Sequence, residues 1–142
     1  MVDNGGMAIG LSGLRLLLVD DEPMVRHVFR RWLTAEGATV VDADSVTAAC
    51  RLLGDGTKFD AVITDYLMPG LSGGDLLDWV RGRFPDLPVL MFTGHPGVER
   101  RREIIDKPVR IAALRDAIVD LVSERRQTQR NVTRIPRPQP GS

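Results

Sequence analysis

The run Ala61-Val62-Ile63-Thr64 restricts the possible folds more than any other stretch of the chain. It is short, mostly apolar and rich in β-branched residues, with no polar face, and it reads as a strand buried on both sides. Such strands belong to parallel sheets whose two faces are covered by helices. The run ends in a single carboxylate, Asp65, and Met68-Pro69-Gly70 then prevents the strand from continuing. A strand that delivers an acid to its carboxyl end matches an open α/β sheet, which presents its chemistry in the crevice above the strands.

The flanking sequence repeats this pattern. Leu14 to Val19 is a buried strand that runs into Asp20-Asp21-Glu22, and Pro23 suits the first turn of a helix. Val25, Val28, Phe29, Trp32 and Leu33 follow at helical spacing, and Gly37 ends that helix. Thr39-Val40-Val41 is a short second strand, and Asp44-Ser45 offers a cap to a small helix carrying Val46, Ala49, Cys50 and Leu53. After Gly73-Gly74, the residues Leu76, Leu77, Val80 and Phe84 mark a third helix. Val89 to Phe92 forms a fourth strand ending at Thr93-Gly94, and Glu103-Ile104-Ile105 a brief fifth one delivering Asp106-Lys107-Pro108. Ile111, Leu114, Ile118, Leu121 and Val122 lie on the last helix. Strands alternating with helices imply right-handed crossovers and a doubly wound, five-stranded parallel sheet of the α/β class. The expected boundaries are a flexible Gly-rich leader over 1–13, a folded domain over 14–123 and a disordered, Pro-rich tail over 124–142.

Bulk composition narrows the function. The chain has 142 residues, enough for one domain with a real core. The net charge of zero gives no global electrostatic case for binding nucleic acid or a membrane surface. No apolar run approaches the ~20 residues needed to span a bilayer. The N-terminus lacks a basic segment followed by an apolar core, so no signal peptide is expected. The single cysteine, Cys50, excludes an internal disulfide and suits a reducing cytoplasm. The arginines after Ser123 have no interleaved aromatics, which favours a solvated linker over a nucleic-acid arm.

The strand ends carry the chemistry. Asp20, Asp21, Asp65, Thr93 and Lys107 all fall at the carboxyl ends of expected strands. Carboxylates gathered in one crevice repel one another unless a hard cation joins them, and Mg²⁺ fits because it takes one or two carboxylates and leaves room for phosphate oxygens. The cation and Lys107 would neutralise a phosphoryl group held on Asp65, and Thr93 would donate a hydrogen bond to it. The pattern reads as phosphoryl transfer onto an aspartate.

Asp20-Asp21, Asp65 with Met68-Pro69 and Gly73, Thr93-Gly94 and Lys107-Pro108, in that order, resemble the receiver domain of bacterial two-component response regulators. The resemblance covers roughly residues 14 to 123. It implies a flavodoxin-like sheet of order 2-1-3-4-5, and a phosphoryl group passed to Asp65 from a histidine kinase or histidine phosphotransfer protein. It further implies Mg²⁺ bound by Asp21, Asp65 and the backbone carbonyl of Leu67, with Asp20 acting mainly through a metal-bound water. Thr93 would be the switch hydroxyl and Lys107 the family's lysine. The chain would catalyse only its own phosphorylation and dephosphorylation, and its output would be a changed contact with a downstream protein.

Two features depart from the family pattern. An aromatic is usual three residues before the lysine, and Ile104 stands there. Lys107 follows Thr93 by only 14 positions, so the fourth helix is expected to be short or absent, and reordering of His95 to Arg102 is the expected substitute for the usual relay. A receiver excised from a hybrid histidine kinase or larger regulator fits the same residues. An aspartyl-phosphate phosphatase is disfavoured, because its second aspartate, two positions after the nucleophile, is here Leu67, which cannot transfer a proton. Val19 to Pro23 also lacks the Gly-rich turn of a dinucleotide-binding enzyme.

Overall fold

Five strands pair in the order β2-β1-β3-β4-β5, all parallel, in the computed structural model, which describes residues 10–94, 104–107 and 109–134. They are β1 (Arg15–Val19), β2 (Thr39–Ala43), β3 (Ala61–Asp65), β4 (Val89–Thr93) and β5 (Ile104–Asp106). Among the described residues four helices connect or follow them: α1 (Pro23–Ala35), α2 (Val46–Gly54), α3 (Gly73–Arg83) and α4 (Ile111–Arg134). The order is the doubly wound one expected from the sequence. Residues 95–103, where the fourth crossover helix is expected to be short or absent and where His95 to Arg102 fall, lie outside the described residues, as does Pro108.

Side chains alternate across each strand and so divide the core into two. Leu16, Leu18, Ile63, Leu90 and Phe92 point to one face and pack under Phe29 and Leu33 of α1 and Leu114, Ile118 and Val122 of α4. Leu17, Val19, Val62, Val89 and Met91 point to the other, under Val46, Ala49 and Leu53 of α2 and Leu76, Leu77 and Val80 of α3. Leu16, Leu17, Leu18, Ile63 and Leu90 are all within 1% of complete burial, so truncating any one to alanine removes about 2–5 kcal/mol.

Local chemistry fixes where the helices begin. Glu22 caps α1 without a side-chain hydrogen bond, and Pro23 takes the first position, where no N–H is needed. Ser45 Oγ accepts from the Ala48 N–H at 3.1 Å to start α2. Ser72 and Asp75 form a reciprocal capping box at α3.

Both expected domain edges move. Leu11 is fully buried and its N–H donates to the Glu36 carbonyl at 2.9 Å, so the folded unit includes residues assigned to the leader. An apolar side chain within reach of the α1 C-terminus outweighed the glycines around it. The second correction concerns the tail. α4 continues through Arg134 instead of ending near Ser123, and only 135–142 of the expected disordered tail lie outside the described residues. Glu124, Arg125, Arg126 and Gln127 are good helix formers, and an existing helix is extended at little cost. Arg125 Nη1 also donates to the Phe59 carbonyl at 3.3 Å, fastening the extension beneath β3.

Candidate functional site

Adjacent strands β1, β3 and β4 bring their carboxyl ends together, and with them the polar residues the sequence placed there. Asp20 follows β1, Asp65 closes β3 and Thr93 closes β4. All three are buried (Asp20 completely, Thr93 at 3% and Asp65 at 6% exposure), whereas Asp21 is half-buried. Carboxylate oxygens of Asp20, Asp21 and Asp65 lie within 4.8 Å of one another.

Asp20 is held tightly. Its N–H donates to the Ala43 carbonyl at 3.1 Å, extending the β1–β2 ladder by one residue. Its Oδ1 accepts the Glu22 N–H at 2.9 Å, and its Oδ2 has no hydrogen-bond partner. Burial raises its pKa from 3.8 to about 6; the Glu22 N–H opposes that rise, and Asp65 and Asp21 add to it.

Lys107 approaches from beyond β5. Its N–H donates to the Thr93 carbonyl at 2.8 Å, anchoring the loop beside β4. Its Nζ donates to Asp65 Oδ2 at 3.3 Å and lies 3.2 Å from Oδ1, an ionic neighbour without hydrogen-bond alignment, so Oδ1 has no hydrogen bond. The stem runs past Gly94, and Nζ sits 5.6 Å from the centre of the Phe92 ring.

The loop after Asp65 is folded against the site. The Tyr66 N–H donates to the Phe92 carbonyl at 3.0 Å and the Gly73 N–H to the Tyr66 carbonyl at 2.8 Å, while Met68 is buried in the core. Gly70 turns the chain at φ +79. A Cβ on Gly73 would fall on the Asp65 carbonyl oxygen, so α3 can begin this close to the acid only with glycine. Leu67, whose carbonyl was expected as a ligand, lies in this loop two positions after Asp65 with an exposed side chain.

Ile104 stands opposite Met91 and packs, half-buried, against the core on the α2–α3 face. The aliphatic replacement of the usual aromatic is thus a packed residue. Sequence reasoning passed over Arg26, whose Nη1 donates to the Asp20 carbonyl at 2.8 Å and whose Nε donates to Asp42 at 3.1 Å. The available signal was its place one helical turn after the acids that precede α1.

Residues 16–119 match the sequence profile of the response regulator receiver domain family. The chain belongs to that family. Among its relatives is the transcriptional regulatory protein TcrA of Mycobacterium tuberculosis, 39% identical over 98 residues, a match covering 68% of this chain and 38% of TcrA. The chemotaxis protein CheY of Pseudomonas aeruginosa is 38% identical over 96 residues, covering 66% of this chain and 74% of CheY. A receiver domain from Clostridium thermocellum superposes with a TM-score of 0.76 at 29% identity, covering 81% of this chain and 98% of that one. This receiver therefore spans little more than a third of TcrA's length.

Receiver domains bind Mg²⁺ at an acidic pocket, and the donors here suit that ion. They are hard carboxylate oxygens at the carboxyl ends of adjacent strands, and Asp20 has a buried oxygen that lacks any hydrogen bond. Receiver domains also work with histidine kinases and downstream targets. Among the described residues no helix is long and apolar enough to cross a membrane.

Proposed function

We propose that this receiver takes a phosphoryl group on Asp65 from a phosphohistidine of a histidine kinase or phosphotransfer protein, and that the modified domain changes its contact with a downstream protein in the cytoplasm. One observation carries the reading: Asp20, Asp21 and Asp65 share one pocket, with Lys107 Nζ at 3.2 Å from the Asp65 carboxylate. Asp21, Asp65 and the Leu67 carbonyl would hold Mg²⁺, with Asp20 acting through a metal-bound water. The bound ion supplies charge neutralisation to a transferring phosphoryl group.

The chain's own residues do the rest. An oxygen of Asp65 attacks phosphorus as the phosphorus–nitrogen bond to the donor imidazole breaks, and the imidazole keeps the bonding pair and takes up a proton. Lys107 is tethered by its own N–H to β4, so its ammonium is already in place to pair with phosphoryl oxygens. Thr93, one residue beyond the register partner of Asp65, offers its hydroxyl to the third oxygen once the group is attached. The chain catalyses only this transfer and the later hydrolysis of the aspartyl phosphate, in which water takes the phosphoryl group as inorganic phosphate and the Asp65 carboxylate is restored. Incubation with Mg²⁺ and acetyl phosphate tests the reading: intact mass should rise by one phosphoryl group in the wild type and not in Asp65→Asn. Equal labelling of both would refute it.

A further inference from the structure

We propose that Arg26 is a positioning residue that sets the Asp20–Asp21 peptide for cation binding, and that Asp42 acts through it. This rests on the reading of the acidic pocket given above. Asp20 carries four polar groups, and three are tied down. Its N–H is bound by the Ala43 carbonyl at 3.1 Å, its Oδ1 by the Glu22 N–H at 2.9 Å and its carbonyl by Arg26 Nη1 at 2.8 Å. The fourth, Oδ2, has no hydrogen bond, and the Asp20 carboxylate has an oxygen within 4.8 Å of oxygens of Asp21 and Asp65. Arg26 is the only side chain among these three anchors, and its carbonyl contact governs the peptide that leads directly into Asp21.

The guanidinium is itself aimed. Its Nε donates to Asp42 Oδ2 at 3.1 Å, and Arg30 Nη1 holds the other Asp42 oxygen at 3.0 Å. Asp42 lies on β2, next to the Ala43 whose carbonyl binds the Asp20 N–H. A planar fork uses two N–H groups at once, on the carboxylate and on the peptide oxygen; a lysine ammonium is a point donor on a flexible stem and does not reproduce that geometry. Arg30 shares Asp42 but makes no bond to Asp20 among the described contacts, which makes it the natural control.

Titration of the apo domain with MgCl₂, followed by amide chemical shifts, tests the proposal. Arg26→Ala should raise the Mg²⁺ dissociation constant about tenfold, in the range seen when partners behind metal ligands are removed. Phosphorylation by acetyl phosphate at saturating Mg²⁺ should stay within about threefold of wild type, because the reacting groups are untouched. Arg26→Lys should not restore affinity, Arg30→Ala should leave it unchanged, and Asp42→Ala should weaken it without adding to Arg26→Ala. Amide hydrogen exchange at Asp21 and Glu22, measured without Mg²⁺, should also accelerate in Arg26→Ala, and this readout needs no cation. Wild-type Mg²⁺ affinity in Arg26→Ala, rescue by lysine or an equal loss in Arg30→Ala would overturn the positioning role. Failure of the wild type to bind Mg²⁺, with faster Asp21 exchange still seen in Arg26→Ala, would instead remove the acidic-pocket reading and leave the peptide anchoring standing.

Discussion

Lys107 Nζ lies 3.2 Å from Asp65 Oδ1 and 3.3 Å from Oδ2, pairing the one buried carboxylate of β3 with a side chain that remains 42% exposed. Because the lysine is partly hydrated, the pair is screened, and Lys107→Ala should cost only about 1 kcal/mol in urea unfolding. Its larger effect should be on response. Amide shifts induced by a phosphoryl mimic such as beryllofluoride should shrink in β4 and β5 even when Asp65 is occupied.

Asp65→Asn should stabilise the domain in the absence of Mg²⁺. Three carboxylates with oxygens within 4.8 Å repel one another, and the substitution removes one charge without changing the shape of the side chain. Lys107 then loses its partner but can turn to solvent. A rise of about 1–2 kcal/mol in unfolding free energy is expected, with no rise when Mg²⁺ is saturating.

The pH dependence of stability should run opposite to that of an ordinary ion-paired acid. The Asp20 pKa in the folded state is about 6, above its ordinary 3.8, so ionisation opposes folding. The penalty is fully present above pH 6 and fades as pH falls towards about 4. Urea midpoints without Mg²⁺ should therefore show a contribution from Asp20 that favours the fold at pH 5 over pH 7.5. Asp20→Asn should remove that contribution and gain about 1–3 kcal/mol at pH 7.5. Mg²⁺ affinity in the wild type should weaken below pH 6, where protonation of Asp20 removes a negative charge from the pocket.

Gly73→Ala should be severe for a substitution at the first position of a helix, because Gly73 is buried. The added methyl would land on the Asp65 carbonyl oxygen, which is main chain and cannot swing aside. Moving the start of α3 away should cost about 2–4 kcal/mol, readable by thermal unfolding. Gly82→Ala on the same helix meets nothing within 4 Å and is the matched control.

Most of the architecture was legible because the signals were local and mutually consistent. Short apolar runs such as Leu16–Val19 and Ala61–Thr64 can only be buried strands in a chain of this length, and the acids that follow them mark the carboxyl edge. The gathering of Asp20, Asp21, Asp65, Thr93 and Lys107 at that edge was readable for the same reason, since strand ends fix a residue's neighbourhood without any knowledge of side-chain contacts. Interactions spanning long sequence separation were not readable. Nothing in Gly-Leu-Ser-Gly announces that Leu11 is buried and bonds through its N–H to the Glu36 carbonyl, and nothing in a polar run announces that Arg125 fastens α4 to Phe59. Arg26 was missed because a helix-face arginine is usually solvated. Only the fold places Asp42 beside it and the Asp20 carbonyl in front of it.

The most direct test of Asp65 as phosphoacceptor is chemical trapping. The chain is phosphorylated with acetyl phosphate and Mg²⁺, reduced with borohydride to convert an aspartyl phosphate to homoserine, and sequenced by tandem mass spectrometry. Conversion at Asp65 and at no other acid is the predicted result. Conversion at Asp20 or Asp21, or a stable phosphoryl group on a hydroxyl residue, would contradict it.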